Sequence, residues 1–222
     1  MMPAMKVNEI SENVIRRLPR YLRLLDSLIE EGTLRVSSAE LGEKLGFTPS
    51  QVRQDFNTFG SFGQQGYGYS VLELRASIAD ILGTNRSYTA VMVGVGHIGI
   101  ALLENLNFDQ YGICVTAAFD VDPAKIGKTV NDTPVYDMAE IDAYLEKNKV
   151  DIAVLTIPKP VARKEAKRLI DDGIGAFWNF TNVDLTDPGS PVISENVHFS
   201  DSLAALCYFV SSGKKSKSSG KN

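Results

Sequence analysis

The sequence predicts an α/β chain in which a small helical module precedes a doubly wound parallel sheet and one separate apolar helix follows it. Three observations carry this. Val91-Met-Val-Gly-Val-Gly-His-Ile-Gly99 sets three glycines in a G-x-G-x-x-G spacing between an apolar β-branched run and a helical pattern. Beyond it, strand patterns alternate with helical ones. Ahead of it, two short capped helices meet at a tight Gly46-Phe47 turn.

The bulk numbers limit the alternatives. At 222 residues the chain is long for one domain and comfortable for two. A hydrophobic content of 44% with 23% charged residues belongs to an ordinary soluble globular protein. No apolar run approaches the ~20 residues of a membrane span, and residues 1–9 carry charge where a signal peptide needs an apolar core. The expectation is a cytoplasmic protein with no membrane partner. Cys114 and Cys207 belong to no C-x-x-C pair, so both read as buried structural thiols, with no disulfide framework and no metal site. The net charge of −4 argues against a broadly basic, nucleic-acid-like surface. Charge is locally uneven, however: Arg16, Arg17, Arg20 and Arg23 cluster, and screening confines each charge to about 8–10 Å.

Ser11 is placed to cap a short helix, and Pro19 starts or kinks a second one that runs to about Glu31 and stops at Gly32. Ile10, Val14, Leu18, Leu22, Leu25 and Leu28/Ile29 repeat at helical spacing and form its core-facing stripe. Ser37-Ser-Ala-Glu40 is a capping box that opens the next helix, which buries Leu41 and Leu45. Thr48-Pro-Ser-Gln51 is a second box, with proline at the first helical position. Two capped helices across a glycine turn read as a helix-turn-helix. On its second helix Val52, Phe56 and Phe59 share one side. Ser50, Gln51, Arg53, Gln54 and Asn57 supply the groups that suit base edges and phosphates; a plain solvent face is the alternative. Gly60-Ser-Phe-Gly-Gln-Gln-Gly-Tyr-Gly-Tyr69 then interleaves glycines, aromatics and two glutamines. That suits a short hairpin, the wing of a winged helix, whose Gln64 and Gln65 reach DNA, or a hairpin with no ligand. Leu74 to Leu82 reads as a helix. The winged-helix domain is therefore assigned to 1–82, with a linker at 83–87.

The second domain is assigned to 88–197. The glycine motif lies after a strand at 88–93 and opens a helix at 98–107, the context it needs to signify a nucleotide site. Gly94 permits the tight turn, Gly96 admits a pyrophosphate and Gly99 lets the helix pack closely on the strand. The freed N–H groups around Val95, His97 and Ile98 would hold the phosphates. Ile113-Cys-Val-Thr-Ala-Ala-Phe-Asp120 reads as the next strand. It ends in a carboxylate about 20 residues past the glycines, which accepts from an adenosine ribose and repels a 2′-phosphate; NAD(H) is favoured over NADP(H). Further strands are expected near 150–157 and 176–180, with a weak one near Val135. Helices are expected near 138–148 and 161–172. The result is a Rossmann-type sheet, whose ligands sit at the carboxyl ends of strands. Thr156, Pro158 and Asn179 are therefore expected at the nicotinamide end. Residues 198–210 form an apolar helix needing a partner surface, and the Ser/Lys/Gly-rich tail 211–222 is expected to be disordered.

Taken in order, several of these stretches resemble one family closely. Arg17-Leu-Pro-Arg-Tyr-Leu-Arg, Ser37-Ser-Ala-Glu-Leu-Gly, Gln51-Val-Arg-Gln-Asp-Phe and Phe59-Gly-Ser-Phe-Gly-Gln-Gln-Gly-Tyr-Gly-Tyr resemble the N-terminal domain of the Rex redox-sensing repressors. The likeness continues through Val93-Gly-Val-Gly-His-Ile-Gly, Ala118-Phe-Asp-Val-Asp-Pro, Leu155-Thr-Ile-Pro and Gly173-Ile-Gly-Ala-Phe-Trp-Asn-Phe. It spans roughly residues 8–210. The resemblance implies a homodimer that exchanges helix 198–210, binds a pseudo-palindromic operator and senses the NADH/NAD⁺ ratio. NADH closes the two nucleotide domains and releases DNA, while NAD⁺ leaves the DNA-competent state available. The family often has a basic residue where this chain has Gln54 and Gln65, so fewer cationic contacts and a shallower salt dependence are expected.

The resemblance also implies a relay. Relatives commonly carry a Tyr after the glycine loop, an Asp at the start of the exchanged helix, and an Arg from the N-terminal domain. Here Arg17 is kept, and the matching positions are Asn105 and His198. A protonated His198 would repel Arg17. Either Asp201, one turn along, replaces the missing carboxylate, or the switch rests on closure alone. The rival reading is an NAD-dependent oxidoreductase with an accessory helical domain. Against it, the chain has only His97 and His198, no Tyr followed four residues later by Lys and no metal-holding cluster, so no catalytic residue is assigned. A plain nucleotide-binding oligomerisation module leaves the helix-turn-helix without a purpose.

Overall fold

The computed structural model of the chain describes residues 10–60, 63–64, 67–185 and 190–213. Gln65 and the tail from residue 214, where disorder was expected, lie outside the described residues. The chain divides after Asn85 into two compact units, the second being Arg86–Ser212.

The first unit holds α1 (Glu12–Ile15), α2 (Leu18–Glu30), β1 (Arg35–Val36), α3 (Ser38–Leu45), α4 (Pro49–Asn57), β2 (Gly63–Gln64), β3 (Gly68–Ser70) and α5 (Val71–Leu82). The caps of α3 and α4 act largely as the sequence implies, α4 through the Thr48 half of its box alone. Ser11, expected to cap α1, instead sits at its N-cap position without a side-chain capping bond. Ser37 and Glu40 form a reciprocal capping box on α3, whose far end stops at Gly46 in the left-handed region. Thr48 accepts from the Gln51 amide at the start of α4. Helix α5 begins three residues earlier than the expected Leu74, because Ser70 caps it by accepting from Glu73 N. The stripe of α2 (Leu18, Leu22, Leu25 and Leu28) is buried against Leu41, Val52, Phe56, Leu74 and Ile78. Burying each such side chain stabilises the fold by about 1.5–3 kcal/mol. The strands form a three-stranded antiparallel sheet in the order β1-β3-β2. With helices α3 and α4 this is a winged helix.

The second unit holds β4 (Tyr88–Val93), α6 (His97–Asn105), β5 (Ile113–Asp120), β6 (Thr129–Val130), β7 (Thr133–Asp137), α7 (Ile141–Leu145), β8 (Ile152–Leu155), α8 (Lys159–Asp171), β9 (Ala176–Asn179), β10 (Ile193–Asn196) and α9 (Phe199–Ser211). Its seven strands run in the order β10-β9-β8-β4-β5-β7-β6. All neighbours are parallel except the β6–β7 pair. Strand order reverses at β4, between β8 and β5, and that switch point is where such sheets open a ligand crevice. The inner strands β4 and β8 are half-buried where they start and fully buried over their carboxyl-terminal residues, as a sheet covered on both faces requires.

Two expectations need correction. Cys114 and Cys207 are exposed: Cys114 lies in the half-covered start of β5, and α9 has no buried residue at all. The helix expected at 138–148 is a 3-10 turn (Met138–Glu140) followed by the five-residue α7. Strands β6 and β10 were not foreseen.

Candidate functional site

At the carboxyl ends of β4, β5 and β8 lies a cleft of about 880 Å³, within the usual range for a ligand pocket. Gly94, Gly96, His97, Ile98, Asp120, Thr156 and Pro158 all line it. The glycines differ in what demands them. Gly94 has φ +94° and Gly99 lies so close to the Gly94 carbonyl that a Cβ there would collide with it. Gly96, by contrast, faces open space with nothing within 4 Å of a built Cβ. The protein's own packing leaves that room beside the start of α6, where N–H groups and the helix dipole favour phosphate. A Gly99→Ala variant is expected to displace the loop and weaken nucleotide binding at least tenfold, measured by calorimetry. Unchanged affinity would show that the turn has slack.

Asp120 closes the other side. Its Oδ2 accepts from Val95 N at 2.7 Å and from Lys125 Nζ at 3.1 Å, and its Oδ1 accepts from Asp122 N at 2.9 Å. Roughly four acceptor sites on a carboxylate minus these three leave about one for a ribose hydroxyl. Burial alone would raise its pKa, but the Asp122 and Val95 amides and the Lys125 ammonium together hold it below the usual carboxylate value. A lowered native pKa means stability that is present above the unfolded pKa and lost as pH falls through the native one. Asp120→Asn is therefore expected to cost about 1–3 kcal/mol at pH 7, with the deficit shrinking below about pH 4 in thermal melts. A deficit that stays constant down to pH 3 would contradict this.

Thr156 supports the loop as well as lining the cleft: its hydroxyl donates to Gly94 O at 2.6 Å. Val95 is buried and contributes its amide to Asp120. Asn179 does not reach the cleft. It is fully buried, donating to Val183 O and Asn196 Oδ1 while accepting from the Thr181 amide and hydroxyl. It thus shapes the turn after β9, and Phe180 and Thr181 line the cleft in its place. Lys125 and Asp122 also line it and were missed by the sequence reading; their signal was a Lys five residues past the strand-end Asp.

In the first unit, Ser50, Arg53, Gln54 and Asn57 are exposed on α4 and Gln51 is half-buried. The Arg53 guanidinium donates to Ser38 Oγ at 3.1 Å and to Ser50 Oγ at 3.2 Å. These bonds leave further N–H groups free to meet base or phosphate acceptors. Gln64 lies on β2, paired with Gly68 of β3. Arg17 is paired with Asp55 of α4. Asn105 is exposed and bonds back to Ala101 O. His198 sits at the N-cap position of α9 without a side-chain capping bond, its Nδ1 2.9 Å from Asn182 Oδ1 and its Nε2 3.8 Å from Asp184. Asp201 is exposed in the first turn of α9. Among the described residues no three His, Cys, Asp or Glu side chains gather as a metal site.

A helix-turn-helix with a hairpin, joined in one chain to a dinucleotide-type cleft, defines a ligand-responsive DNA-binding regulator. The family described as "CoA binding domain" matches residues 85–183, and that described as "Putative DNA-binding protein N-terminus" matches residues 9–57. The redox-sensing transcriptional repressor Rex of Clostridium botulinum (strain Alaska E43 / Type E3) is 47% identical over 91% of this chain and 96% of its own. That of Clostridium acetobutylicum is 43% identical over 96% and 99%. The chain also superposes on a crystal structure of RSP in complex with beta-NAD+ and operator DNA (TM-score 0.85, 43% identity, 92% of this chain and 94% of that one). Similarity to RSP in complex with beta-NADH is comparable (TM-score 0.84, 40% identity, 92% and 96%). The chain belongs to the Rex family of redox-sensing transcriptional repressors.

Proposed function

We propose that this chain represses transcription by binding a pseudo-palindromic operator as a homodimer, and that NADH entering the cleft beside Gly96 releases it. The observation that carries this is the cleft itself: open room at Gly96 facing the Asp120 carboxylate, on the same chain as a helix-turn-helix with an exposed arginine. Gly94, Val95, Gly96, His97, Ile98 and Gly99 would hold the pyrophosphate, Asp120 the adenosine ribose, and Thr156 and Pro158 the nicotinamide end. Bound NADH or NAD⁺ would supply the redox signal through the charge and shape of its nicotinamide ring. Asn179 acts there through the turn that presents Phe180 and Thr181. On DNA, Arg53 is the first choice for a base or phosphate contact, with Ser50, Gln51, Gln54, Asn57, Gln64 and Gln65 around it. Release requires NADH to bind the DNA-incompetent state more tightly, by about 1.4 kcal/mol per factor of ten.

The dimer rests on α9, whose Leu203 and Leu206 are exposed; a second copy of the chain covers them, with the helix exchanged. A cytoplasmic location follows from the DNA target, and no described helix is long and apolar enough to cross a membrane. Relay roles for Arg17, Asn105, His198 and Asp201 rest on the family resemblance; Asp201→Ala should retain NADH binding but lose NADH-driven release. The nucleotide reading is tested by calorimetry: NADH should bind at least tenfold more tightly than NADPH, and Asp120→Arg should reverse or erase that preference. A wild-type preference in Asp120→Arg would refute the ribose role.

A further inference from the structure

We propose that Asp55 is a positioning residue for DNA recognition, the ion pair of its buried carboxylate with the half-buried Arg17 setting the rotation of α4 about its own axis. The proposal rests on α4 being the recognition helix. Asp55 is 1% exposed, an unusual place for a carboxylate on a nine-residue helix. Three donors meet it, all from one edge of α2. Arg17, at the N-cap of α2, donates from Nε to Oδ2 at 2.8 Å and from Nη2 to Oδ1 at 2.6 Å. Tyr21, one turn along, donates from its hydroxyl to Oδ2 at 2.9 Å.

The apolar contacts of α4, through Val52 and Phe56, hold its distance from the core but are non-directional. A two-pronged Arg–carboxylate contact is directional, because both N–H···O bonds require the two planes to align. Arg53 precedes Asp55 by two residues, about 200° around the helix, so it projects from the opposite side. Fixing the buried side therefore fixes the reading side. A rotation of about 20° would sweep a side-chain tip at a radius of roughly 5–6 Å through about 2 Å. That far exceeds the roughly 0.5 Å spread of good hydrogen-bond lengths.

Stability does not require such a pair, since buried ion pairs are often replaced by apolar residues without loss. This separates the positioning role from a structural one. In the full-length triple variant Arg17→Met, Tyr21→Phe, Asp55→Leu, no buried polar group is left unpaired. It is expected to melt at or above the wild-type temperature. Its affinity should fall at least tenfold for a duplex selected from random DNA by the wild-type chain, and less than twofold for a scrambled duplex. Asp55→Asn, which leaves Arg17 in place for the relay and removes the two-pronged carboxylate contact, should retain the fold and lose about threefold to tenfold on the selected duplex; it decides the matter if the triple variant fails to fold. Wild-type affinity for the selected duplex in either folded variant overturns the proposal, as does equal loss on both duplexes. Should the wild-type chain show no preference for any selected duplex, the recognition-helix reading itself fails.

Discussion

Replacing Leu203 and Leu206 by aspartate is expected to halve the mass seen by light scattering and to weaken operator binding at least 100-fold. Helix α9 is 13 residues long and buries none of them, with Leu203 61% and Leu206 55% exposed alongside Phe199, Tyr208 and Val210. Soluble proteins rarely leave such a contiguous apolar stripe in water unless a partner covers it. Two charges on the stripe would have to be desolvated in any dimer, at a cost of several kcal/mol each without a compensating partner. Two linked half-site contacts gain an effective concentration worth 10²–10⁴ in affinity over one, and a monomer forfeits it. An unchanged mass in the double variant would mean that α9 is not the dimer contact.

Removing the guanidinium of Arg53 should have the next largest effect. Arg53→Ala is expected to weaken operator binding by 10- to 100-fold per half-site, since a two-pronged contact to a base edge discriminates by about 1–3 kcal/mol. Ser38 and Ser50 already hold the group, so little of its freedom remains to be lost on docking. Fluorescence anisotropy on labelled operator measures the change. Wild-type affinity in Arg53→Ala would move the DNA-reading surface away from α4.

What was legible in the sequence follows from how local each signal is. The capping box at Ser37, the Gly46 stop and the strand-glycine-helix run into Gly94 are determined within a few residues, and all appear in the structure. Strand β10, with its mixed Ile-Ser-Glu-Asn composition, exists because Ile193 to Asn196 pair in register with Ala176 to Asn179; no local pattern announces that. The burial of Asp55 depends on Arg17, 38 residues away, and a lone Asp on a polar helix reads as solvent-facing. Asn179 sat at the right strand end, yet its amide is used by Val183, Asn196 and Thr181, which only the folded turn reveals. The same holds for Cys207, apolar in pattern but exposed on α9.

The central claim is that one molecule reads operator DNA and the NADH/NAD⁺ balance together. Anisotropy of labelled operator, titrated with NADH at several fixed NAD⁺ concentrations, tests it most directly. The expected result is release by NADH, with the half-release concentration rising in step with NAD⁺ as the two compete for the cleft beside Asp120. Operator binding indifferent to NADH at every NAD⁺ level would contradict it.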